Sequence, residues 1–268
     1  MKIYFAYLGV LAAVGLAMPA QAKTICTVVA DAATGTALVE QGNCAERYTP
    51  ASTFKVALSL MGYDSGFLAD AHAPKLPFRE GYADWGGENW TQATDPTRWM
   101  KYSVVWFSQV MAQSLGEQNL HHYAVKFGYG NADFGGDPDK NNGLERAWIS
   151  SSLKISPLEQ VAFLRKLVNR ELPVSSRATD MTMKIMETTE LPDGWTAKGK
   201  TGMAYPRKQD GAFDYDHPWG WYVGWATRGE RTLVFARLVQ EEKRQKGSAG
   251  ARVRDGLFKE FPSLVPTE

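Results

Sequence analysis

Cysteine and histidine are scarce in this chain of 268 residues, which contains two cysteines and four histidines. Zinc sites need several Cys, His or carboxylate ligands at short spacings, and the sequence has neither an H-E-x-x-H segment nor a cysteine cluster. No histidine lies in a motif, so we expect all four at the surface. This scarcity argues against a bound metal, a zinc hydrolase and a Ser-His-Asp triad. The histidines are His72, His121, His122 and His217.

Net charge is nearly absent as well. Lysine and arginine together number 30 against 29 aspartates and glutamates, and the loss of Lys2 with a leader would leave 29 of each. Proteins that bind nucleic acid or anionic membranes through their overall field carry an excess of positive charge. The balance therefore argues against nucleic acid and against a membrane surface as partners.

Long apolar runs occur only at the N-terminus. Lys2 precedes the almost wholly apolar stretch 3–18, and residues 20–22 read A-Q-A, which is typical of a cleavage site. This pattern predicts a secretory signal peptide over residues 1–22, with an uncleaved membrane anchor as the alternative. Because no later segment approaches about 20 consecutive apolar residues, we expect residues 23–268 to be released into the periplasm without a membrane anchor.

The two cysteines frame a predicted hairpin. Two segments rich in β-branched and apolar residues flank a turn at Thr34-Gly35. In a hairpin the numbers of facing residues add to a constant, which is about 69 or 70 for this turn. Cys26 is therefore expected opposite residue 43 or 44. In an exported protein, cysteines at facing ends of a hairpin favour a disulfide between Cys26 and Cys44. Two free buried thiols are the alternative.

Strand patterns stand at both ends of the chain, and helix patterns fill the middle. We predict an α+β fold within the broad α/β class: one antiparallel sheet from both termini, flanked by helices, with an all-helical lobe inserted over about 50–190. Residues 23–268 would form a single catalytic domain with its site in a cleft between lobes. The predicted strands are 24–32, 36–43, 198–203, 219–227 and 232–240, and the predicted helices are 50–62, 103–115, 118–127, 157–169, 176–187 and 248–260.

The most informative segment is an S-x-x-K sequence formed by Ser52 and Lys55 before an apolar run. Thr49 is a suitable helix cap and Pro50 suits the first helical position, so Ser52 falls in the first turn. Lys55 then lies on the same face three residues later. A hydroxyl beside an amine at a helix N-terminus is the arrangement of a nucleophile and its base. Alone, the pattern also fits an ordinary capped helix with a solvated lysine.

Further short motifs follow in a characteristic order. They are Ser103-Val104-Val105, Tyr129-Gly130-Asn131, Lys200-Thr201-Gly202 and Gly220-Trp221-Tyr222-Val223-Gly224-Trp225. Each is weak alone, but the ordered set is specific. With this set the chain resembles the class D β-lactamases, a family related to the penicillin-binding proteins, and it lacks the S-D-N element of class A enzymes. The resemblance spans essentially the whole chain after residue 22. It implies a β-lactamase/transpeptidase-like fold, a small-molecule β-lactam substrate and antibiotic resistance.

Lys55 is the candidate general base, although an ammonium group cannot accept a proton. Burial against Phe54, Val105 and Trp148, and the like charge of Lys200, would lower the pKa of its amine. A neutral buried amine can react with CO₂. The resemblance implies that Lys55 is carried as N6-carboxylysine, held by the Trp148 indole N–H, and that CO₂ or bicarbonate is the only co-reactant besides water. A purely structural role for the tryptophan is the alternative.

The resemblance also implies roles for the remaining motif residues. Ser103 would relay a proton to the β-lactam nitrogen, with electrostatic support from Lys200. Thr201 would bind the substrate carboxylate. The backbone N–H groups of Ser52 and Met203 would form the oxyanion hole.

A guanidinium group is expected beside the carboxylate of a β-lactam. The family places it on the last helix, where Arg254 fits best and Arg252 is the alternative. Val105 is a further candidate for substrate contact. Met203 replaces a common aromatic residue, and the 204–218 loop is long, so the sequence leaves the substrate spectrum open.

Two other functions share this fold and nucleophile. A penicillin-binding peptidase acts on peptidoglycan stem peptides and keeps its acyl-enzyme for longer, whereas the sensor domain of a β-lactam receptor is acylated without turnover. A cleaved signal peptide and the lack of a later apolar span argue against both, because most such proteins need a membrane tether. The sequence is compatible with a monomer or a homodimer.

Overall fold

A computed structural model of the chain describes residues 22–265. The predicted signal peptide therefore lies, apart from Ala22, outside the described residues. None of the helices in the described range has the length and apolar character needed to cross a bilayer.

Six strands and eight α-helices make up the described part of the chain. The strands are β1 Lys23–Asp31, β2 Ala37–Gly42, β3 Glu187–Glu190, β4 Thr196–Ala204, β5 Trp219–Arg228 and β6 Arg231–Gln240. The helices are α1 Lys55–Asp64, α2 Pro96–Tyr102, α3 Val105–Leu115, α4 Glu117–Phe127, α5 Gly143–Arg146, α6 Pro157–Val168, α7 Ser176–Ile185 and α8 Ala249–Leu264.

All of these strands belong to one antiparallel sheet in the order β2-β1-β6-β5-β4-β3. Strands from the two ends of the chain lie side by side, with Val28 of β1 opposite Ala236 of β6. Helices α1–α7 are inserted between β2 and β3, and α8 follows the last strand. The predicted α+β fold, with a sheet from both termini and a helical insertion, is therefore confirmed.

The sheet carries an apolar layer on each face. Successive residues of β6 point to opposite faces, so Val234 enters the larger core shared with the helical insertion and Phe235 enters a smaller core beneath α8. Helix α8 covers that smaller core with one apolar stripe, Val253, Leu257 and Phe261, all of them buried. Burial of each such side chain contributes about 1.5–3 kcal/mol. Both faces are therefore occupied, and the strand edges and the rims between layers are left for a site.

Helix α6 begins as the sequence predicts. The Glu159 N–H donates to Ser156 Oγ at 3.1 Å, and the Ser156 N–H donates to Glu159 Oε2 at 2.9 Å. Pro157 occupies the first helical position. This capping box satisfies backbone donors that the helix would otherwise leave unpaired. It fixes the start of a helix whose buried face reaches the candidate site.

Two regions differ from the sequence-based prediction. The pattern predicts a helix beginning at Ser103, but Ser103 ends α2 with a left-handed φ of 58°, and α3 begins at Val105. Helix α2 itself has seven residues, too few for a clear apolar period, although Asp95 and Pro96 mark its start. Strand β3 falls partly within a predicted helix, because its four residues are all exposed and show no alternation.

The β1–β2 hairpin forms with a register that corrects the prediction. Cys26 lies opposite Gly42, where the sequence predicts residue 43 or 44. The turn starts earlier because the Asp31 carboxylate accepts the Thr34 N–H at 2.8 Å and so closes it. Gly42 then adopts φ 89° and redirects the chain, so that Cys44 returns to Cys26. The two form a disulfide with their Cα atoms 5.1 Å apart.

We expect this disulfide to contribute about 3 kcal/mol to the free energy of unfolding, the value for a short closed loop in the unfolded chain; its cysteines are 18 positions apart. The double replacement Cys26→Ser and Cys44→Ser should lower the urea midpoint accordingly, and reduction of the wild type should have the same effect. Identical unfolding curves for the oxidised wild type and the double variant would contradict this expectation.

Candidate active site

Ser52 lies in a 3₁₀ turn, Ala51–Phe54, that leads directly into α1. Ala51 has φ 50°, a left-handed conformation that a residue with a side chain keeps only where its surroundings impose it. Thr53 stabilises the turn, because its N–H and its hydroxyl both donate to the Pro50 carbonyl, at 3.1 and 2.7 Å. The turn, Pro50–Phe54, carries the candidate nucleophile and is called the nucleophile turn below.

Contrary to the sequence-based prediction, Thr49 does not cap this helix. Its hydroxyl donates to the Trp148 carbonyl at 2.9 Å and accepts the Ser150 N–H at 3.0 Å. Its own carbonyl accepts the Trp221 indole N–H at 3.0 Å. Long-range bonds of this kind replace the local cap, and they join the nucleophile turn to the 131–152 loop and to β5.

The Lys55 amine is buried beside the Ser52 hydroxyl. Its Nζ lies 3.5 Å from Ser52 Oγ, and the residue is 1% exposed. Burial, and after it the positive charge of Lys200, holds the pKa of Lys55 well below its usual range, because an ammonium group loses its hydration in the interior. A neutral amine in this position can accept a proton from the hydroxyl or react with an electrophile such as CO₂.

Apolar side chains enclose the start of α1. Phe54, Val105 and Trp148 belong to one continuous core, and each is at least nine-tenths buried. The rings of Phe54 and Trp148 pack with their centroids 5.4 Å apart. These are the three residues from which the sequence analysis derives a dry environment for Lys55, and the structure brings them into the same core.

Ser103 lies at the junction of α2 and α3, and its hydroxyl is buried. The part of the chain that the structure describes offers this oxygen no hydrogen-bond partner. A buried hydroxyl without a partner is costly unless a ligand or water completes it. Ser103 is therefore suited to bonding a bound molecule, and Val105 starts the next helix two residues later.

The K-T-G motif at 200–202 lies on β4 where that strand has a free edge. Strand β3 pairs with β4 only between Thr196 and Gly199, so within the described range no strand pairs with the motif on that side. The motif also packs against the nucleophile turn, since a Cβ atom at Gly202 would lie 3.1 Å from the Pro50 carbonyl oxygen. Glycine allows this close approach. The free edge of β4 therefore begins close to the turn that carries Ser52.

Lys200 is buried, and its charge acts on the Lys55 amine. It is 5% exposed, and its Nζ donates to the Thr201 carbonyl at 3.1 Å and to the Thr201 hydroxyl at 3.4 Å. Burial lowers the pKa of Lys200 to about 8; Glu187 opposes that shift and Arg254 adds to it. Lys200 therefore remains largely cationic at neutral pH, while burial and the charge of Lys200 hold the pKa of Lys55 well below its usual range.

Arg254 lies near Thr201. The two residues line a small cavity of about 80 Å³ with Glu187 and Tyr222 among their neighbours. Arg254 also forms an ion pair at 2.8 Å with the exposed Asp255. An exposed ion pair is weak, so this guanidinium is available to an anion that enters the cavity.

Arg252, the alternative from the sequence, has a structural partner. Its guanidinium donates to both carboxylate oxygens of Glu241, at 2.6 and 3.0 Å, and to the Lys246 carbonyl at 2.9 Å. Glu241 is 4% exposed and depends on this partner for compensation of its charge. Arg252 therefore has a structural role near the start of α8, and its guanidinium is already occupied by Glu241 and Lys246.

Met203 directs its side chain away from the nucleophile turn. Its Sδ accepts the N–H of Ala249, the first residue of α8, at 3.3 Å. Neighbouring strand residues point to opposite faces, so Gly202 faces the nucleophile turn while the Met203 side chain faces α8. A contribution of Met203 at the cleft would come from its backbone.

The 204–218 loop is fixed to the 131–152 loop. Arg207 forms an ion pair with Asp137 at 2.9 Å, and its guanidinium carbon lies 3.8 Å from the centre of the Phe213 ring. The ion pair joins the two loops, and the Phe213 ring holds Arg207 within its own loop. The two loops form one ordered rim.

Gln160 supports the nucleophile turn from behind, a role that the sequence analysis misses. It is 1% exposed, and its amide donates to the Thr53 hydroxyl at 2.9 Å and to the Tyr129 hydroxyl at 3.5 Å. Tyr129, from the Tyr129-Gly130-Asn131 motif, packs its ring against Phe54 with the ring centroids 5.6 Å apart. Gln160 precedes Leu164 by four residues on the apolar face of α6, and a polar residue on such a face signals a buried partner.

Other features of the surface lie apart from these motifs. Residues 22–265 contain no group of three or more His, Cys, Asp or Glu side chains arranged to bind a metal ion. All four histidines are exposed. A shallow groove of about 610 Å³ at the start of α4 is lined by Gly116, Glu117, Gln118 and His121, none of which belongs to a motif.

Comparison with known proteins assigns the chain to a family. Residues 25–262 match the penicillin-binding protein transpeptidase domain family. β-Lactamase OXA-9 of Klebsiella pneumoniae is 39% identical over 240 residues, which cover 90% of this chain and 88% of that protein. The crystal structure of the class D β-lactamase OXA-427 shares 45% identity and a TM-score of 0.83, covering 90% of this chain and 99% of that one. This chain belongs to the class D β-lactamase family.

A receptor domain is also similar to this class D β-lactamase chain. The C-terminal domain of the Bacillus licheniformis BlaR penicillin-receptor shares 26% identity and a TM-score of 0.73, covering 90% of this chain and 91% of that one. The family resemblance drawn from the ordered motifs is confirmed, and so is the assignment to a family of hydrolases.

The two arginines should differ in their effect on stability. We expect Arg252→Ala to lower the free energy of unfolding by about 2–3 kcal/mol, because the buried Glu241 carboxylate loses its partner. Arg254→Ala should change it by less than about 0.5 kcal/mol, since its ion pair is exposed. Chemical denaturation of both variants measures the difference. Equal losses would show that Arg252 carries no special structural role.

Proposed function

We propose that this chain hydrolyses β-lactam antibiotics through an acyl-enzyme on Ser52 and so confers resistance to them. The observation that carries the proposal is the Lys55 amine, which is buried, has a depressed pKa and lies 3.5 Å from Ser52 Oγ. A base of this kind is what a serine hydroxyl lacks at neutral pH. The free edge of β4 beside it leaves room for a substrate.

The reaction needs two displacements at one carbonyl carbon. Ser52 Oγ bonds to the β-lactam carbonyl carbon and gives up its proton; the ring C–N bond breaks, and the nitrogen takes a proton by way of Ser103. Water then attacks the ester carbon and releases the acid, and Ser52 recovers its proton. The N–H groups of Ser52 and Met203 stabilise the oxyanion in both steps. Lys200 supports the relay with its positive charge.

Lys55 is suited to carboxylation by CO₂. Carbamate formation requires an uncharged amine, which burial favours here, and the apolar core around Phe54 and Trp148 excludes competing water. When carboxylated, Lys55 supplies the anion that takes up the Ser52 proton and later a proton from the hydrolytic water. Trp148 would hold the carbamate through its indole N–H.

Thr201 and Arg254 would bind the substrate carboxylate. The cavity that they share supports this assignment, as does the exposure of the Arg254 ion pair. A guanidinium paired with a hydroxyl suits a carboxylate better than either group alone. Val105, at the start of α3, would contact the substrate from the opposite wall.

The cellular setting completes the proposal. Residues 1–22 would be a signal peptide, and residues 23–268 a single catalytic domain in the periplasm, with the helical lobe over about 50–190. A Cys26–Cys44 disulfide supports export to an oxidising compartment. The domain would act as a monomer or homodimer, without nucleic acid or membrane partners.

Turnover separates this proposal from a penicillin-binding peptidase or a β-lactam sensor. We expect steady-state hydrolysis of a penicillin at pH 7, and no covalent labelling of the Ser52→Ala variant by a fluorescent penicillin. Intact-mass spectra before and after penicillin addition report the acyl-enzyme directly. A stoichiometric burst without a steady state would support the sensor, and labelling of Ser52→Ala would place the nucleophile elsewhere.

The two lysines should give kcat/KM a bell-shaped pH profile. Activity should fall at acid pH, because protonation of Lys55 removes the neutral amine that binds CO₂. It should fall again above about pH 8 as Lys200, whose pKa is lowered to about 8, loses its charge. Added bicarbonate should restore activity on the acid limb and after degassing, but not on the basic limb. Indifference to bicarbonate, with no CO₂ mass on Lys55, would contradict carboxylation.

A further inference from the structure

The Thr49 hydroxyl joins the nucleophile turn to the segment that carries Trp148. Thr49 is 3% exposed, donates to the Trp148 carbonyl and accepts the Ser150 N–H, at 2.9 and 3.0 Å. In a dry interior both bonds are strong, because water cannot compete for either partner. The Trp148 carbonyl and the Ser150 N–H lie on either side of Ile149, so the backbone from Trp148 to Ser150 is held at both ends.

Strained backbone stands on both sides of this link. Ser150 has φ 55° and Ala51 has φ 50°, although neither is glycine. Residues with side chains keep such conformations only where surrounding contacts impose them. For Ser150, the bond from its N–H to Thr49 is one of those contacts.

Thr49 is itself anchored, and so is the ring of Trp148. The Trp221 indole N–H of β5 donates to the Thr49 carbonyl at 3.0 Å. Trp148 is 1% exposed, and its ring packs against Phe54, the residue directly before Lys55. The direction in which the Trp148 indole projects therefore depends on a backbone that the Thr49 hydroxyl fixes.

We propose that Thr49 is a positioning residue that sets how readily Lys55 is carboxylated. It would act through Trp148, by holding the indole in the orientation that receives the carbamate. This inference rests on the function proposed above. Thr49 itself would touch neither the substrate nor the reacting atoms.

The test is a bicarbonate titration of Thr49→Val, which keeps the shape of the side chain and removes the hydroxyl. Carbon-13 NMR in labelled bicarbonate reports the carbamate signal without any turnover. We expect half-carboxylation to need about fivefold more bicarbonate or more, since a lost buried hydrogen bond leaves its partners unsatisfied. Thr49→Ser should restore the wild-type titration, because the hydroxyl returns.

A matched control is available in Thr182→Val. Thr182 is fully buried, and its hydroxyl bonds to Ser59 at 2.9 Å between α1 and α7. This variant loses a buried threonine hydroxyl as Thr49→Val does, so we expect it to unfold at a lower temperature with an unchanged bicarbonate titration. If Thr49→Val does not fold, Thr49→Ala serves in its place.

The outcomes separate this inference from the function on which it rests. A carbamate signal in the wild type, with the same titration in Thr49→Val or Thr49→Ala, would overturn the role of Thr49 alone. Equal shifts of the bicarbonate titration in the Thr49 and Thr182 variants would show that general destabilisation, not the position of Thr49, causes the effect. Absence of the signal from the wild type at saturating bicarbonate would overturn carboxylation and this inference together.

Discussion

Dryness around the Lys55 amine is the constraint on which the site depends. Removing an ammonium group from water costs so much that the group sheds its proton instead. This holds only while no carboxylate lies within reach, because an adjacent anion would restore the ammonium form. The two lysines differ in this respect. Glu187 acts on the pKa of Lys200, whereas the pKa of Lys55 is lowered by burial and by the charge of Lys200. Burial thus favours the neutral form of Lys55, while Lys200 keeps its charge at neutral pH.

That constraint explains how the two layers of the fold meet. The nucleophile turn must approach the K-T-G strand closely enough for Lys200 to act on Lys55, and Gly202 permits the approach. The strand must also keep an open edge for a substrate, and β3 ends its pairing at Gly199. A longer β3 would fill the cleft with backbone. Glycine at 202 allows the close approach, and the short strand β3 leaves the edge of β4 open; the site requires both.

The motifs predicted that Ser52, Lys55 and Lys200 lie close together, but not the bonds that hold them. Ser52, Lys55 and Lys200 follow from local patterns, because helix position and strand position are written in neighbouring residues. The role of Thr49 does not, since the partners of its hydroxyl lie 99 and 101 positions away along the chain. The same threonine next to proline satisfies the local rule for a cap. Tertiary contacts override that rule here, whereas β3 escapes detection because its four exposed residues show no alternation.

Ser150 makes the loops and the base interdependent. Its N–H binds the nucleophile turn through Thr49, while its carbonyl and hydroxyl accept from Arg207 and from the Tyr205 N–H, both at 3.2 Å. Arg207 in turn pairs with Asp137 on the same rim. The 204–218 loop therefore bonds directly to Ser150, which lies two residues after Trp148. Because close-packed interiors transmit strain, the hydrogen bonds of Ser150 connect the 204–218 loop to the segment that carries Trp148.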